Sequence, residues 1–574
     1  MSRFALANAA LLTALVTLPN TKTNNSEAVY DVTAVKAKAS VSCTPDRALI
    51  AQLLEEGEEI NLLPGSGKYV WKINTSSDSA QLYFSQGINM YYGFHIIEAI
   101  ASFRKAAKFD QSNPMVWWGQ ALSYGPNIND VGYTASPEAL STTQKAVELS
   151  ASASDIEKAL IDAMQVRYSN DTTKTREGLN QDYVDAMKAA SEKFPDNKDV
   201  LALYADAMML QHPWDLWTVD GKPKPWQPAI QAVLEKVIKI DSLHPGANHY
   251  YIHIVEASPD PGLALYSADV LGKITPGLSH LVHMPSHIYL RTGNYDRGIA
   301  NNVDAVNTYR QYSELFPASN GNAFIYYWHN LHMLANCAML SGRYNEAIKS
   351  ADELKGALDT ATLAMPPPLG SFLYYMYMTP AIVNMRFEKW DDILAAQQPE
   401  GKYIYANVLY HFSRGMAHAG KNNFGEAKKE ATMIEETMKD ESLKIPMLPF
   451  SPVSEGSAVA LETLNGFIAL KQKDTKKAIM HLEKAAKREW EMVYTEPRDW
   501  MLNPYQYLGN AYIADKNYKK AEEAFKKDLT RNAKNVWSLS GLEKSLRLQG
   551  KKKEATVVQD ELKKASEKAD VVIN

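Results

Sequence analysis

Cysteine is scarce in this sequence, and Cys43 and Cys337 are the two present among 574 residues. Two cysteines exclude a disulfide framework and a four-cysteine zinc module, and unpaired thiols are the expected state. Charge of one sign is also lacking, because the formal net charge is only −5. Without a basic patch, nucleic acid is not expected as a partner. Walker loops, dinucleotide-binding glycine patterns, serine nucleophile elbows and His-Glu-x-x-His motifs do not occur either.

Long apolar runs are missing apart from one short stretch near the N-terminus. Residues 4–18 are mainly apolar and follow a single cation, Arg3. This run is too short for a comfortable bilayer span but suits a signal-peptide core, and the sequence Ser-Glu-Ala at 26–28 resembles a cleavage site. We therefore predict a signal peptide over residues 1–28 and a periplasmic or secreted protein with no transmembrane span after its removal. A disordered or amphipathic tail is the alternative.

Internal repetition is the feature that the chain has in abundance. A small residue in one helical pattern is followed twelve positions later by alanine in the next, at Gly87 and Ala99, Ala335 and Ala347, Gly415 and Ala427, Gly466 and Ala478, and Gly509 and Ala521. An aromatic residue or leucine, such as Phe103, stands four positions beyond the alanine. These are key positions of the tetratricopeptide repeat, a helix-turn-helix unit of about 34 residues. We predict an all-α fold, a tetratricopeptide-repeat α-solenoid of about eight to ten helical pairs.

Breaks in the helical pattern divide the chain into segments. The segments are a signal peptide (1–28), a linker and irregular segment (29–78), a first repeat with its following turn (79–130), degenerate repeats with a Pro- and Trp-rich insertion (131–240), histidine-rich repeats (241–355), further helical repeats (356–505), and C-terminal repeats with a cap (506–565). Residues 57–75 are expected to form a short hairpin or loop. The insertion at 211–228 is expected either to cross the groove or to fill space between superhelical turns. The charged junction YTEPRDW, at 494–500, is expected to form solvated ion pairs.

Histidine is concentrated in one part of the chain. Six of the 13 histidines lie within residues 244–295, and two more follow at His329 and His332. We place Ile252, Ser286 and Ala335 at position eight of three successive repeats. This register puts His249, His283 and His332 at position five, His253 and His287 at position nine, His280 and His329 at position two, Glu256 at position twelve and Arg291 at position thirteen. Because the small residues fix the register independently of the histidines, the agreement is informative.

These positions share one face of the first helix in each repeat, since they are three or four residues apart. In a solenoid of this class that face lines the concave groove, and neighbouring first helices lie about 8–10 Å apart. We therefore predict a ligand groove lined by His249, His253, Glu256, His280, His283, His287, Arg291, His329 and His332. Pro285 falls at position seven, where proline is expected to kink or restart the helix.

Two chemical interpretations of these side chains stay open. Neutral imidazole is the commonest transition-metal ligand, and His-x-x-x-His beside a carboxylate suits zinc, copper or iron. A metal set would then comprise His249, His253, Glu256, His283 and His287. The same side chains could instead bind an anionic or sugar-like ligand, perform acid–base chemistry, or satisfy one another at crowded repeat junctions.

Several long runs resemble a group of bacterial tetratricopeptide-repeat proteins that carry them in the same order. The runs are QLYFSQGINMYYGF, WWGQALSYGPNIN, HPGANHYYIH, HLVHMPSHIYLRTGNY, YTEPRDW and WSLSGLEKSLRLQG, and the resemblance extends over about residues 80–565. It implies a helical repeat solenoid and a protein of bacterial type. The group brings no established activity, so no catalytic residue is carried over.

The expected function follows from the class of fold. Repeat solenoids mostly bind peptides and proteins, which favours an exported scaffold whose groove holds a protein, peptide or small-molecule ligand. The alternative is a metal-dependent enzyme or metal-binding protein that uses the histidines.

Overall fold

The computed structural model describes residues 60–129, 133, 135–316 and 320–573, with only the backbone described for residues 320–325. The predicted signal peptide, the linker up to residue 59, Cys43 and Asp130 lie outside the described residues. Within them, no helix combines the length and the apolar character that a bilayer span requires.

The chain is an all-α solenoid of stacked antiparallel helix pairs, as the repeat pattern predicts. In the part that the structure describes, extended pairing is limited to one isolated bridge between Trp217 and Pro223. Residues 60–77 form a loop without a strand, so the hairpin alternative for that segment was wrong.

The helices of the first half precede the third histidine-bearing repeat. They are α1 (Asp78–Tyr92), α2 (Ile96–Phe109), α3 (Pro114–Ser123), α4 (Pro137–Glu148), α5 (Asp155–Arg167), α6 (Arg176–Lys193), α7 (Lys198–Gln211), α8 (Gln227–Ile240), α9 (Pro245–Glu256), α10 (Leu265–Ile274), α11 (Ser279–His283), α12 (Pro285–Thr292) and α13 (Tyr295–Leu315). Short 3-10 turns occur at Ser150–Ser152 and Pro261–Ala264.

The helices of the second half continue the stacking to the C-terminus. They are α14 (Asn320–Leu340), α15 (Tyr344–Ala357), α16 (Thr360–Leu363), α17 (Leu369–Tyr377), α18 (Thr379–Arg386), α19 (Trp390–Ala395), α20 (Ile404–Gly420), α21 (Phe424–Thr437), α22 (Val453–Lys471), α23 (Thr475–Glu491), α24 (Pro504–Ala514), α25 (Tyr518–Leu529), α26 (Val536–Leu548) and α27 (Lys552–Ala565). A 3-10 turn at Glu441–Lys444 precedes α22.

The small-residue pattern corresponds to the contacts between helices. The ring of Phe103 on α2 lies against Gly87 on α1 and Gly119 on α3, so closely that a Cβ on either glycine would collide with it. The aromatic ring therefore fills the gap between one helix pair and the next, as the repeat positions predict. Gly293 and Gly342 supply the turns between paired helices, because their φ angles of 71° and 77° favour glycine.

Pro285 divides the first helix of its repeat into two. Helix α11 ends at His283 and α12 begins at Pro285. Proline has no backbone N–H to donate within a helix and is well accommodated at a helix start. The predicted restart is therefore confirmed, and it lies between the two histidines His283 and His287.

The Pro- and Trp-rich insertion packs against the histidine-bearing helix α9. Its Trp217 indole nitrogen donates to the Ile254 carbonyl at 2.7 Å, and the Trp226 indole nitrogen donates to the Asp215 carbonyl at 2.6 Å. The Trp226 ring also stacks on His212, with ring centroids 3.6 Å apart. The insertion is thus held in place by its own indole groups.

Alanine at Gly541 tests the repeat packing directly. Gly541 on α26 is buried, and an added Cβ would collide with the ring of Phe525. We expect Gly541→Ala to lower the free energy of unfolding by about 1–3 kcal/mol, which is typical of overpacking. Gly425→Ala is the matched control, because Gly425 is an exposed helical residue with open space around it. This control should be neutral or stabilising by up to about 1 kcal/mol. Urea unfolding followed by circular dichroism measures both, and equal stability of Gly541→Ala and the unchanged protein would contradict the packing account.

Candidate metal centre

Six of the predicted histidines meet in one buried cluster, supplied by helices α9, α11, α12 and α14. This histidine cluster consists of His249, His253, His280, His283, His287 and His329, and each side chain is at most 3% exposed. The sequence predicts a concave ligand groove here, but these imidazoles do not face solvent. That expectation needs correction, because Phe94 and Trp214 from earlier in the chain, and the loop with Tyr494 and Glu496 from later in it, cover the face.

The cluster divides into two groups of three. In the first triad, the Nε2 atom of His249 lies 3.1 Å from Nε2 of His253 and 3.1 Å from Nε2 of His280. The second triad consists of His283, His287 and His329. In each triad, one ring nitrogen from every histidine lies within 4.8 Å of the others.

The second triad is equally compact. The Nε2 atoms of His283 and His287 are 2.7 Å apart. The ring of His329 lies across from both, with centroid distances of 4.6 Å to His283 and 5.5 Å to His287. Both nitrogens of His329 are buried without a hydrogen-bond partner among the described residues.

Both triads follow the same rule in the repeat register. Each takes positions five and nine from one repeat and position two from the next, so the second triad reproduces the first one repeat further along. The rule stops at the third repeat, where position nine is Asn336 instead of histidine. His332, at position five there, contacts the ring of Tyr375 at 5.7 Å and lies outside both triads.

The Nδ1 atoms of the position-five histidines are held by neutral oxygens. Nδ1 of His249 lies 2.6 Å from the backbone carbonyl of Tyr92, and Nδ1 of His283 lies 2.6 Å from Oδ1 of Asn302. The Asn302 amide nitrogen donates to the Gly298 carbonyl, which turns its oxygen toward the imidazole. Because these acceptors have no proton to give, both Nδ1 atoms must carry the hydrogen.

The position-nine histidines share one buried carboxylate, Glu256. Nδ1 of His253 lies 3.1 Å from Oε1 of Glu256, and Nδ1 of His287 lies 2.8 Å from Oε2. The hydroxyl of Tyr494 also donates to Oε2, at 2.9 Å. Burial alone would raise the pKa of Glu256, but the electrostatic attraction of His287 and the N–H groups of His253 and His287 outweigh it and hold the pKa well below its usual range. Glu256 is therefore a carboxylate that orients one imidazole from each triad.

This arrangement leaves pairs of unprotonated nitrogens facing one another. A neutral imidazole carries one hydrogen, so the Nε2 atoms of His249 and His253 both present lone pairs at 3.1 Å. The same holds for His283 and His287 at 2.7 Å. With all four rings neutral, neither pair forms a hydrogen bond, and burial lowers the pKa of His249 and of His283, which opposes a shared proton. A metal ion with bonds of about 2.0–2.1 Å to nitrogen would accept both lone pairs and place them roughly 3 Å apart.

Glu496 joins the cluster from the loop between α23 and α24. Its Oε1 lies 3.5 Å from Nδ1 of His287 and 3.8 Å from Nδ1 of His253, and its Oε2 lies 3.8 Å from Nε2 of His329. Burial is the larger cause that raises the pKa of Glu496 well above its usual range, and repulsion from Glu256 raises it further. With His253 and Glu256 it forms a third group of potential metal ligands.

Sequence reasoning missed both Tyr494 and Glu496. The junction YTEPRDW was expected to form solvated ion pairs, but Glu496 is only 9% exposed and lies among imidazoles. The expectation was wrong because the loop folds back onto helices far away in sequence. The available signal was an acidic residue, Glu496, between Tyr494 and Pro497. The local sequence spacing could not identify the residues that Glu496 contacts.

Aromatic side chains cover the first triad. The ring of Phe94 lies 4.5 Å from the His249 ring, 5.7 Å from that of His280 and 5.9 Å from that of His253. Trp214 of the insertion contacts the His253 ring edge-on at 5.5 Å. The insertion therefore crosses the histidine-bearing face, which was one of its two expected roles, and it helps to exclude water.

Arg291 belongs to the predicted set but points away from both triads. Its guanidinium donates to three backbone carbonyls, those of Glu256 at 3.0 Å, Ser258 at 3.0 Å and Arg531 at 2.7 Å. The arginine thus links the end of α9 to the C-terminal repeats, and it does not contact an imidazole through these bonds.

No protein-family model matches the chain, and no curated protein matches it by sequence. Among solved structures, a human IFIT1 dimer with m7Gppp-AAAA is 14% identical over 93% of this chain and 97% of that chain, with a TM-score of 0.30. Yeast Tom70 is 13% identical over 77% of this chain and 90% of that chain, with a TM-score of 0.29. The Cut9–Hcn1 hetero-tetramer of APC/C is 13% identical over 82% and 78%, with a TM-score of 0.27. With scores this low, the similarity does not extend to the overall arrangement of the helices and assigns no function.

His332 offers a test of imidazole burial outside the triads. Burial lowers its pKa to about 3, against about 6.5 in the unfolded chain. Between these two pH values the unfolded state binds more protons than the folded state. The contribution of neutral His332 to the free energy of unfolding is therefore present above pH 6.5 and is lost as the pH falls. By pH 5 the loss amounts to about 2 kcal/mol. Between pH 7 and pH 5, we expect the free energy of unfolding of His332→Phe to fall less than that of the unchanged protein. Urea unfolding of metal-free samples measures both values. Identical pH dependence of the two proteins would contradict this assignment.

Proposed function

We propose that this protein is a metalloprotein in which a repeat solenoid holds two transition-metal ions, one in each histidine triad. The supporting observation is the orientation of the imidazoles. In four of them, His249, His253, His283 and His287, the Nδ1 atom lies within hydrogen-bond distance of an oxygen. The Nε2 atoms converge at 3.1 Å in the first triad and at 2.7 Å between His283 and His287. Histidine ligands of metals are typically fixed in this way by a carboxylate or carbonyl on the far nitrogen.

The ligand sets follow from the two triads. His249, His253 and His280 would hold one ion, and His283, His287 and His329 would hold the other. Imidazole ligands suit zinc, copper or iron. Three protein ligands leave a coordination position open for water or a substrate, as in catalytic metal sites.

The two carboxyl groups would have different roles. Glu256 bridges His253 and His287 on the side away from their Nε2 atoms, so it orients ligands and adds negative charge next to both ions. Glu496 lies within 4 Å of His329 and accepts no hydrogen bond at its buried Oε1 from any described residue. A carboxyl group with a raised pKa at this place is suited to exchanging a proton with a metal-bound water.

The burial of the imidazoles favours this proposal over a histidine-lined peptide groove. A docked peptide could not reach side chains that are at most 3% exposed. A metal-dependent enzyme acting on a small molecule, or a metal-binding protein, agrees better with a closed and partly aromatic site. A protein partner on the outer surface of the solenoid would not compete with such a centre. An exported location is part of the proposal and rests on the apolar run of residues 4–18.

Metal content tests the proposal. We expect the purified mature protein to carry about two equivalents of zinc, copper or iron by elemental mass spectrometry, one for each triad. His253→Ala and His287→Ala should each reduce this to about one equivalent, because each removes a ligand from a different triad. The double variant should carry almost none.

The control for these variants is His481→Ala. His481 has its Nδ1 atom 2.6 Å from Glu462, which reproduces a histidine–carboxylate pair without a second imidazole. Its substitution should leave the metal content unchanged, and circular dichroism should show similar helicity in all variants. A metal-free protein after reconstitution with each of the three metals would refute the proposal.

Glu256→Gln tests the role of the shared carboxylate. The amide keeps the shape but can accept from only one imidazole through its oxygen, while its NH2 group faces the other N–H. Loss of such an outer ligand contact typically costs about 10–100-fold in metal affinity. Competition with a chromophoric chelator should therefore show weaker binding of both ions. Glu235→Gln makes the same change at a carboxylate that accepts from Tyr251, and it should have no effect. Equal affinities in the two variants would exclude the assigned role.

A further inference from the structure

A small pocket is lined by Tyr494, the tyrosine that bonds to Glu256. Three arginines from distant parts of the chain, Arg291, Arg498 and Arg531, line it together with the ring of Tyr494 and the amide of Asn336. The Tyr494 hydroxyl donates to Glu256, so this tyrosine contacts both the pocket and the carboxylate of the histidine cluster.

Each of the three guanidinium groups is fixed in position. Arg291 is held by backbone carbonyls, and its charge is not neutralised by these contacts. Arg498 pairs with the buried carboxylate of Glu489 at 3.1 Å. Cζ of Arg531 lies over the ring of Trp490, 3.4 Å from its centroid, and Nη2 donates to the backbone carbonyls of Val219 and Trp490.

Three guanidinium cations meet at this pocket, and one carboxylate, Glu489, is paired directly with one of them, Arg498. Glu256 and Asp499 attract Arg291 and Arg498 electrostatically without a direct side-chain ion pair. Burial, together with the nearby charges of Arg498 and Arg291, lowers the pKa of Arg531. Nη1 of Arg531 is buried and has no hydrogen-bond partner among the described residues. A buried charged group with an unmade hydrogen bond is costly, and an anion that accepts from this nitrogen would relieve the cost.

We propose that Arg291, Arg498 and Arg531 form a binding site for an oxyanion group, a phosphate or a carboxylate, on a small ligand. The planar fork of arginine matches both groups and binds them through paired N–H donors. Leu290, Leu340 and Met501 also line the pocket, next to the arginines. The site is assembled from protein side chains alone, so the inference does not depend on metal binding in the triads.

Calorimetric titration of the full-length mature protein with inorganic phosphate and, separately, with acetate tests this site. Both titrations are made on chelator-treated and on metal-loaded protein, which separates a failure of this site from a failure of the metal centre. We expect saturable binding to one site in the unchanged protein. Arg531→Gln and Arg498→Gln should each weaken it about tenfold or more, because each removes charged hydrogen bonds.

Arg488→Gln is the matched control. Arg488 lies on the exposed face of α23 and pairs with Glu455 of α22, and its substitution changes the net charge by the same amount as Arg498→Gln. It should bind as the unchanged protein does. Arg498→Lys keeps the charge but loses the fork, so weaker binding in this variant supports the site even if a glutamine variant does not fold. Tighter binding of phosphate than of acetate would indicate a phosphoryl ligand, and the reverse would indicate a carboxylate. Absence of saturable binding of both anions, or equal loss in Arg488→Gln, would overturn the proposal.

Discussion

The carboxylate of Glu256 is the group on which the arrangement of the histidine cluster depends. It accepts an imidazole N–H from His253 in its own helix and another from His287 in the next repeat. These two contacts fix which nitrogen of each ring carries the proton and turn both Nε2 atoms inward. The hydroxyl of Tyr494 adds a third donor from 238 positions away in sequence, so the C-terminal loop is tied to the same carboxylate. A buried anion with three donors is stable where a lone one would not be.

Repetition explains why there are two triads. In a solenoid, each first helix presents the same positions to its neighbours, so a ligand set that works between two repeats can recur between the next two. Positions five and nine of one repeat and position two of the following repeat supply both sets. Helix α12 begins at Pro285, directly after α11 ends at His283. His287 therefore keeps its repeat position relative to His283 despite the break at the proline. The series ends where Asn336 replaces the position-nine histidine.

Local periodicity could predict the helix pairs, the packing of Phe103 between glycines and the shared face of the histidines. These features depend on spacings of three, four and twelve residues, which the sequence displays directly. The closure of that face could not be predicted in this way. Glu496 and Trp214 reach the histidines only because the superhelix brings remote loops together, and no short spacing encodes such contacts. For the same reason Arg291, which shares the register of the histidines, was predicted to line the groove, although its guanidinium donates to backbone carbonyls instead.

Anomalous X-ray diffraction at the absorption edge of the bound metal tests the central claim most directly. The account predicts two peaks in crystals of the metal-loaded protein, one within bonding distance of Nε2 of His249, His253 and His280, and one equally close to the ring nitrogens of His283, His287 and His329. It also predicts no peak on the side of Glu256 that faces the Nδ1 atoms. Crystals without a peak in the cluster, or with a single peak between Glu256 and Glu496, would contradict it.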